Sequence, residues 1–281
     1  MENVVVLGAG TMGHGIAQIA AHAGYGVTLV DVEEPFLAKG MARVRENVAK
    51  GVEKKKLTDE EARGILDRIR TSTYLEESVA GADVAIEAVP EKLDLKRDVF
   101  RRMSERAPAK TLLCTNTSSL SVTEIAGAVK DPERFLGMHF FNPPHLMKLV
   151  EVVRALRTSD EAIERARAFG RKLGKEVIVV TDSPGFASSR LGIALGMEAI
   201  RMLEERVASA EDIDRAMELG YNHPMGPLKL TDLVGLDVRL AIAEYLHAEL
   251  GMEQFRPPRL LKKMVLAGKL GKKSGEGFYK Y

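Results

Sequence analysis

Through the first two thirds of the chain, hydrophobic residues alternate between two rhythms. Short, largely apolar runs at 3–7, 26–31, 83–89, 111–115, 135–141, 149–153 and 176–180 predict strands, the first of them, Asn3 to Leu7, buried on both faces. Between them, apolar residues recur at helical spacing. Residues 11–23 place Met12, Gly15, Ile16, Ile19, Ala20 and Ala23 on one side and stop at Gly24; residues 33–56 carry the stripe Phe36, Leu37, Met41, Val44 and Val48. Thr58 and Glu61 form a capping-box signature for a short helix reaching Ile69. Residues 93–106 and 159–173 complete the set of amphipathic helices. Strands alternating with helices describe an α/β domain over 1–183, a doubly wound, mostly parallel sheet of the Rossmann type.

The rhythm changes after the turn Thr181-Asp182-Ser183-Pro184-Gly185. Residues 186–205, 208–219, 233–250 and 258–267 all have helical spacing, which predicts an all-α second domain over 184–281. Its helices are apolar over wide faces, an expectation of a homodimer formed through this domain. Residues 268–277 read as a flexible, basic, glycine-rich tail.

The first strand runs directly into Gly8-Ala9-Gly10-Thr11-Met12-Gly13. Glycines at this spacing between strand and helix permit a tight turn, close backbone approach to a pyrophosphate and close helix packing. The helix N-terminus adds unpaired N–H groups and the positive end of its dipole. A second strand ends in Asp31, roughly 20 residues on, at the spacing of a carboxylate that holds a ribose hydroxyl. No arginine follows immediately, so a 2′-phosphate would meet like charge. The cofactor expected is therefore NAD rather than NADP.

At 281 residues the chain is long enough for two cores. Its 41 basic and 40 acidic side chains leave a net charge of +1, which argues against wholesale nucleic-acid binding. No apolar run approaches the roughly 20 residues that span a bilayer, and no signal-peptide profile is visible. The expectation is a cytoplasmic protein with no membrane partner. A single cysteine, Cys114, excludes an intrachain disulfide; its apolar surroundings suggest a buried small hydrophobe. No metal-ligand pattern is present, and no metal is expected.

Three polar features fall at or near strand ends: the Asn116-Thr117-Ser118-Ser119 loop, the run beginning at His139, and Glu151. A lone histidine in such a place is usually structural. An unpaired carboxylate inside the apolar run Leu149-Val150-Glu151-Val152-Val153 would be costly, so Glu151 needs a buried partner. Pairing with His139 would fix the tautomer of the ring and raise its basicity, as a general base requires.

These motifs, with GAGTMGHGIA, DVAIEAVPE, NTSSLSVTEIA, GMHFFNPPHLMKLVEVV, DSPGF, YNHPMGPL, DLVGLD and GKKSGEGFYKY, resemble the L-3-hydroxyacyl-CoA dehydrogenase family over nearly the whole length, close to the bacterial 3-hydroxybutyryl-CoA dehydrogenases. The resemblance implies oxidation of (S)-3-hydroxyacyl-CoA, with His139 as base, Glu151 as its carboxylate partner and Ser118 bonded to the 3-oxygen of the substrate. It implies that Asp31, Glu91, Lys96, Asn116, Asn142 and Lys273 join Gly8, Gly10, Thr11, Met12, Gly13 and Ser118 around NAD. Asn47 and Lys54 fall where the family contacts the nucleotide of coenzyme A.

Two positions depart from the pattern. Ser189 stands where the family carries an asparagine near the substrate carbonyl, replacing an amide with a shorter hydroxyl. His145 stands where relatives have an apolar residue or proline, and no role is assigned to it. A hydroxyisobutyrate-type β-hydroxyacid dehydrogenase would share the architecture but relies on a lysine of its second domain. A non-catalytic crystallin-like or NADH-sensing relative would keep the fold without the chemistry.

Overall fold

The computed structural model describes residues 2–281 and divides into two compact units, the first ending at Asp182 and the second spanning Ser183–Tyr281.

In chain order, the first unit contains β1 (Asn3–Leu7), α1 (Gly13–His22), β2 (Gly26–Val30), α2 (Glu34–Glu53), α3 (Asp59–Asp67), β3 (Ile69–Ser72), α4 (Leu75–Val79) and β4 (Val84–Glu87). It continues with α5 (Leu93–Arg106), β5 (Leu112–Thr115), α6 (Val122–Ala126), β6 (Phe135–Phe140), β7 (Leu149–Arg154), α7 (Asp160–Lys172) and β8 (Glu176–Thr181). The strands form one sheet in the order β3-β2-β1-β4-β5-β6-β7-β8. The order reverses between β1 and β4, so the crevice beyond their carboxyl ends is the expected ligand site of a doubly wound sheet. All pairings are parallel except β6 with β7, which is antiparallel. Apolar runs such as Val4-Val5-Val6 and Val84-Ala85-Ile86 are buried throughout, because helices cover both faces.

Local chemistry explains several boundaries. Thr58 accepts from the Glu61 N–H while the Glu61 carboxylate accepts from the Thr58 N–H, the reciprocal cap expected of that pair. Ser159 caps α7 by accepting from the Ala162 N–H. The strand β3 was not legible in the pattern, because Arg70, Thr71 and Ser72 are polar. As an edge strand pairing only with β2, it needs no apolar alternation. The one-turn helices α4 and α6 are too short to show a period. Phe36, expected in the apolar stripe of α2, is 49 % exposed.

The second unit comprises α8 (Ser188–Glu204), α9 (Ala210–Gly220), α10 (Pro227–Val234), α11 (Leu236–Leu250) and α12 (Arg259–Leu266). Its core gathers Ile193, Met197, Ile200, Leu228, Leu246, Phe255 and Leu261. The single helix expected over 233–250 is instead two. Gly235, at φ +107°, breaks the chain between α10 and α11, and a helical run cannot continue through that backbone.

The glycine-rich tail also differs from expectation. It folds into a turn held by Asp232, whose carboxylate accepts from the Phe278 and Tyr279 N–H groups at 2.9 Å each and from the Tyr281 hydroxyl. A Cβ at Gly271 would stand 2.3 Å from the Asp232 carbonyl oxygen. Gly271 and Gly277 serve close approach to Asp232, whereas a Cβ at Gly268 or Gly275 would meet nothing.

Candidate active site

The glycine loop leaves β1 at the switch point. Gly8 has φ +98°, and a Cβ there would lie 2.6 Å from the Ala88 carbonyl oxygen; a Cβ at Gly13 would meet the Gly8 carbonyl. Gly10 has nothing within contact range of such an atom, so its backbone faces open space. Helix α1 begins here with no side-chain cap and no acidic residue in its first turn, which leaves its dipole end available to an anion. The Asp31 carboxylate accepts from the Ala9 N–H and from the Val32 N–H, each at 2.7 Å. These features together fit a dinucleotide: bare backbone for the pyrophosphate, and a carboxylate fixed against the loop for the ribose.

The loop opens on a cavity of about 970 Å³. Its walls bring together Gly8, Gly10, Thr11, Met12 and Asp31 with Glu91, Asn116, Ser118, His139 and Asn142, residues spread over 135 positions in sequence but all at the carboxyl edge of the sheet. Phe36, Lys39, Arg43 and Arg102 also face it. None of these four was marked as a site residue, and only their position on helices bordering the switch point reveals them.

The histidine and the glutamate meet because β6 and β7 run antiparallel. His139 and Glu151 are register partners, so their side chains leave the same face at the separation of directly opposed strand residues. His139 Nδ1 lies 2.8 Å from Glu151 Oε2, with the carboxylate fully buried and the histidine side chain 9 % exposed. The Phe141 ring packs against the imidazole at 4.6 Å between centroids.

The serine loop is held by Glu91. One carboxylate oxygen accepts from the Thr117 hydroxyl at 2.5 Å, the Ser118 N–H at 2.9 Å and the Ser119 N–H at 3.2 Å. Burial works against this carboxylate, but the Lys96 ammonium, the Thr117 hydroxyl and the Ser118 N–H outweigh it and hold its pKa below the usual range. Asn116 accepts from the Phe140 N–H, tying the loop to β6.

Lys96 is 1 % exposed and lies behind the cavity wall, bonding Glu87 at 2.6 Å and Glu91 at 3.2 Å. Glu87 was missed. Fully buried at the end of β4, it accepts from Lys96, the Thr115 hydroxyl and the Val89 N–H. Burial pushes its carboxyl up, against these three donors. The signal was the same as for Glu151, a carboxylate inside an apolar run.

The remaining expected residues stand elsewhere. Asn47 donates to the Gln18 side chain, and Lys54 caps the end of α2; neither is in the cavity wall. Lys273 and Ser189 belong to the second unit, where Lys273 pairs with both oxygens of Asp237. His145 borders a separate cavity of about 400 Å³ with Gln18, His22 and Lys175. Cys114 is fully buried, and burial pushes its thiol up. Among the described residues no cluster suited to a metal ion occurs, and no helix is long and apolar enough to cross a membrane.

A glycine loop at the switch point, an aspartate at the end of β2 and a carboxylate-paired histidine across the cavity define an NAD-dependent oxidoreductase. Residues 3–183 match the NAD-binding domain of 3-hydroxyacyl-CoA dehydrogenase, and residues 185–281 match its C-terminal domain. The chain belongs to the 3-hydroxyacyl-CoA dehydrogenase family. It is 46 % identical over 281 residues to a probable 3-hydroxybutyryl-CoA dehydrogenase of Bacillus subtilis, covering 100 % of this chain and 98 % of that one. To the human mitochondrial hydroxyacyl-coenzyme A dehydrogenase it is 43 % identical, with 100 % and 91 % covered. The crystal structure of (S)-3-hydroxybutyryl-CoA dehydrogenase PaaH1 from Ralstonia eutropha superposes with a TM-score of 0.96 at 41 % identity, covering 100 % and 99 %. The hydroxyisobutyrate-type and non-catalytic alternatives fall with this assignment.

Proposed function

We propose that His139 is the proton acceptor and donor in the interconversion of (S)-3-hydroxyacyl-CoA and 3-oxoacyl-CoA, on short-chain substrates such as 3-hydroxybutyryl-CoA. The observation that carries this reading is the buried His139–Glu151 pair on the wall of the cavity that also holds the glycine loop. NAD, when bound, supplies the hydride acceptor.

With Nδ1 committed to Glu151, Nε2 is the atom that takes the proton of the 3-hydroxyl as the hydride leaves C3. Glu151 stabilises the imidazolium so formed, because an opposite charge at close range favours the protonated ring. The Ser118 hydroxyl, on the loop that Glu91 fixes, orients the 3-oxygen. Holding both reactants in one geometry replaces a bimolecular encounter by a unimolecular one. In reverse, Nε2 returns the proton to the developing alkoxide.

On the cofactor side, Gly8, Gly10, Thr11, Met12 and Gly13 hold the pyrophosphate and Asp31 the ribose. Asn116 and Asn142 face the cavity directly, Glu91 and Lys96 support the serine loop, and the family pattern adds Lys273 to the cofactor ligands. Asn47 and Lys54 take the nucleotide of coenzyme A, and Ser189 occupies the position of the family asparagine. The second unit serves as dimerisation domain for a cytoplasmic enzyme.

Purified protein is expected to oxidise NADH in the presence of acetoacetyl-CoA. Absence of turnover would overturn the proposal. Sedimentation equilibrium at micromolar concentration is expected to give a dimer, and a monomer would remove the dimerisation role.

A further inference from the structure

Ser118 stands on a stretch without regular structure. Residues 116–119 lie between β5 and α6, and the Glu91 carboxylate that holds them stands in the equally irregular turn between β4 and α5. Two loops bonded to each other do not by themselves fix a hydroxyl to the tolerance a reacting geometry needs. An anchor on a rigid element does, and Glu87 is placed to be one. It is the last residue of β4, fully buried, and the register partner of Thr115 in β5. Its backbone carbonyl accepts from the Asn116 N–H at 2.8 Å, which ties the start of the serine loop to the sheet.

The two oxygens of the Glu87 carboxylate lead to that loop separately. Oε1 accepts from Lys96 Nζ at 2.6 Å, and the same ammonium lies 3.2 Å from Glu91 Oε2. The other Glu91 oxygen receives the Thr117 hydroxyl and the Ser118 and Ser119 N–H groups. Oε2 accepts from the Thr115 hydroxyl at 2.7 Å, and the Thr115 oxygen in turn accepts from the Thr117 N–H at 3.3 Å. The routes leave different oxygens and meet again at Thr117, directly before Ser118. The Ser118 hydroxyl lies 3.4 Å from Glu91 Oε1, a length at which its proton is weakly held and free for another acceptor. A buried ion pair is in itself weak support for a fold. Two routes from one carboxylate to one loop account for Glu87 better than stability does.

We propose that Glu87 is a positioning residue for the reaction: through Lys96 and Glu91 on one side and Thr115 on the other, it fixes the direction in which Ser118 presents its hydroxyl to the 3-oxygen of the substrate. The proposal rests on the reading that Ser118 orients that oxygen, and it deepens that reading by naming what holds the serine. Glu87 touches neither substrate nor cofactor. Its effect on turnover therefore passes through Ser118, and without the Ser118 hydroxyl it has nothing to act on.

The test compares kcat and KM for acetoacetyl-CoA, with NADH as reductant, in wild type, Glu87→Gln, Ser118→Ala and the double variant. Glutamine keeps the shape of the side chain and one acceptor oxygen, but removes the charge that draws Lys96 and sets an N–H donor against the Thr115 hydroxyl. In Glu87→Gln, kcat is expected to fall by about tenfold to a hundredfold, the cost of a displaced orienting group. KM for acetoacetyl-CoA should stay within about threefold, since the Ser118 bond strengthens only as the alkoxide develops. In the Ser118→Ala background the same substitution should add less than about twofold, because residues that act through one interaction are not additive. Equal falls in both backgrounds, the pattern of a general loss of folded enzyme, overturn the proposal, as does an unchanged kcat in Glu87→Gln. Thr115→Val deletes the Oε2 route alone and serves if Glu87→Gln does not fold. Its kcat should fall by about threefold or more, the worth of one hydrogen bond, and again only while Ser118 is present; an additive loss overturns the proposal. Failure of the proposed function looks different, because wild-type protein would then not turn over acetoacetyl-CoA at all.

Discussion

The carboxyl edge of the sheet and the inward face of α11 treat buried charge in opposite ways. At the sheet edge Glu87 and Glu91 share Lys96, and Glu151 has His139. On α11, Arg239 sits at a core position with no anion and an unpartnered Nε. A charge that is paired within the chain can serve to position something else, because its own solvation is settled locally. A charge left unpaired is a standing destabilisation.

The largest test of that contrast is at the active pair. His139→Gln keeps a polar side chain but removes the base, and kcat with acetoacetyl-CoA is expected to fall by about 10² to 10⁴. NADH binding, read by fluorescence titration, should change little. Near-normal turnover would sink the catalytic assignment.

Lys96→Met leaves Glu87 buried without its cation, and the expected destabilisation is about 3–5 kcal/mol in urea denaturation of the first unit's transition. Burial already raises the Glu87 carboxyl, and loss of Lys96 raises it further. The folded variant then holds a proton that the unfolded chain releases above its ordinary carboxylate pKa. Stability must fall as pH rises from the unfolded value toward the raised folded one, so the deficit is larger at about pH 8 than at about pH 5. A deficit independent of pH would mean that Glu87 is not the group left uncompensated.

Glu151→Gln preserves a hydrogen bond to the ring while removing the charge that stabilises the imidazolium. The expected loss in kcat is roughly tenfold to a hundredfold, less than for His139→Gln. Equal losses would mean that the carboxylate does more than stabilise charge.

The smallest effect has the opposite sign. Arg239→Met should raise the melting temperature of the second unit by roughly 5 °C, as replacing an unpaired buried cation by an apolar chain of similar length removes a penalty. A lower melting temperature would show that the guanidinium is satisfied in the folded chain, and the contrast would dissolve.

Much of the architecture was legible because it is written in local periods. Unbroken runs such as Val4-Val5-Val6 mark doubly covered strands, and the Thr58–Glu61 cap appears in sequence as it does in space. The glycine loop and Asp31 were equally plain, since a backbone constraint at Gly8 and a carboxylate at a strand end are properties of adjacent residues. The polar edge strand β3 and the break at Gly235 were not, because an edge has no alternation to show and a glycine inside an apolar run is ambiguous until its φ is known.

The sequence by itself determined the class of fold, the cofactor and the demand that Glu151 find a partner, because each follows from residues near one another in the chain or from the cost of a lone buried charge. Only the tertiary structure decided how that demand is met. One antiparallel pairing in an otherwise parallel sheet sets His139 opposite Glu151, and register is a long-range property that no local pattern carries. Arg239 lies further still from sequence reasoning. The absence of a partner is a statement about every neighbour at once, and it exists only when the whole unit has folded around the guanidinium.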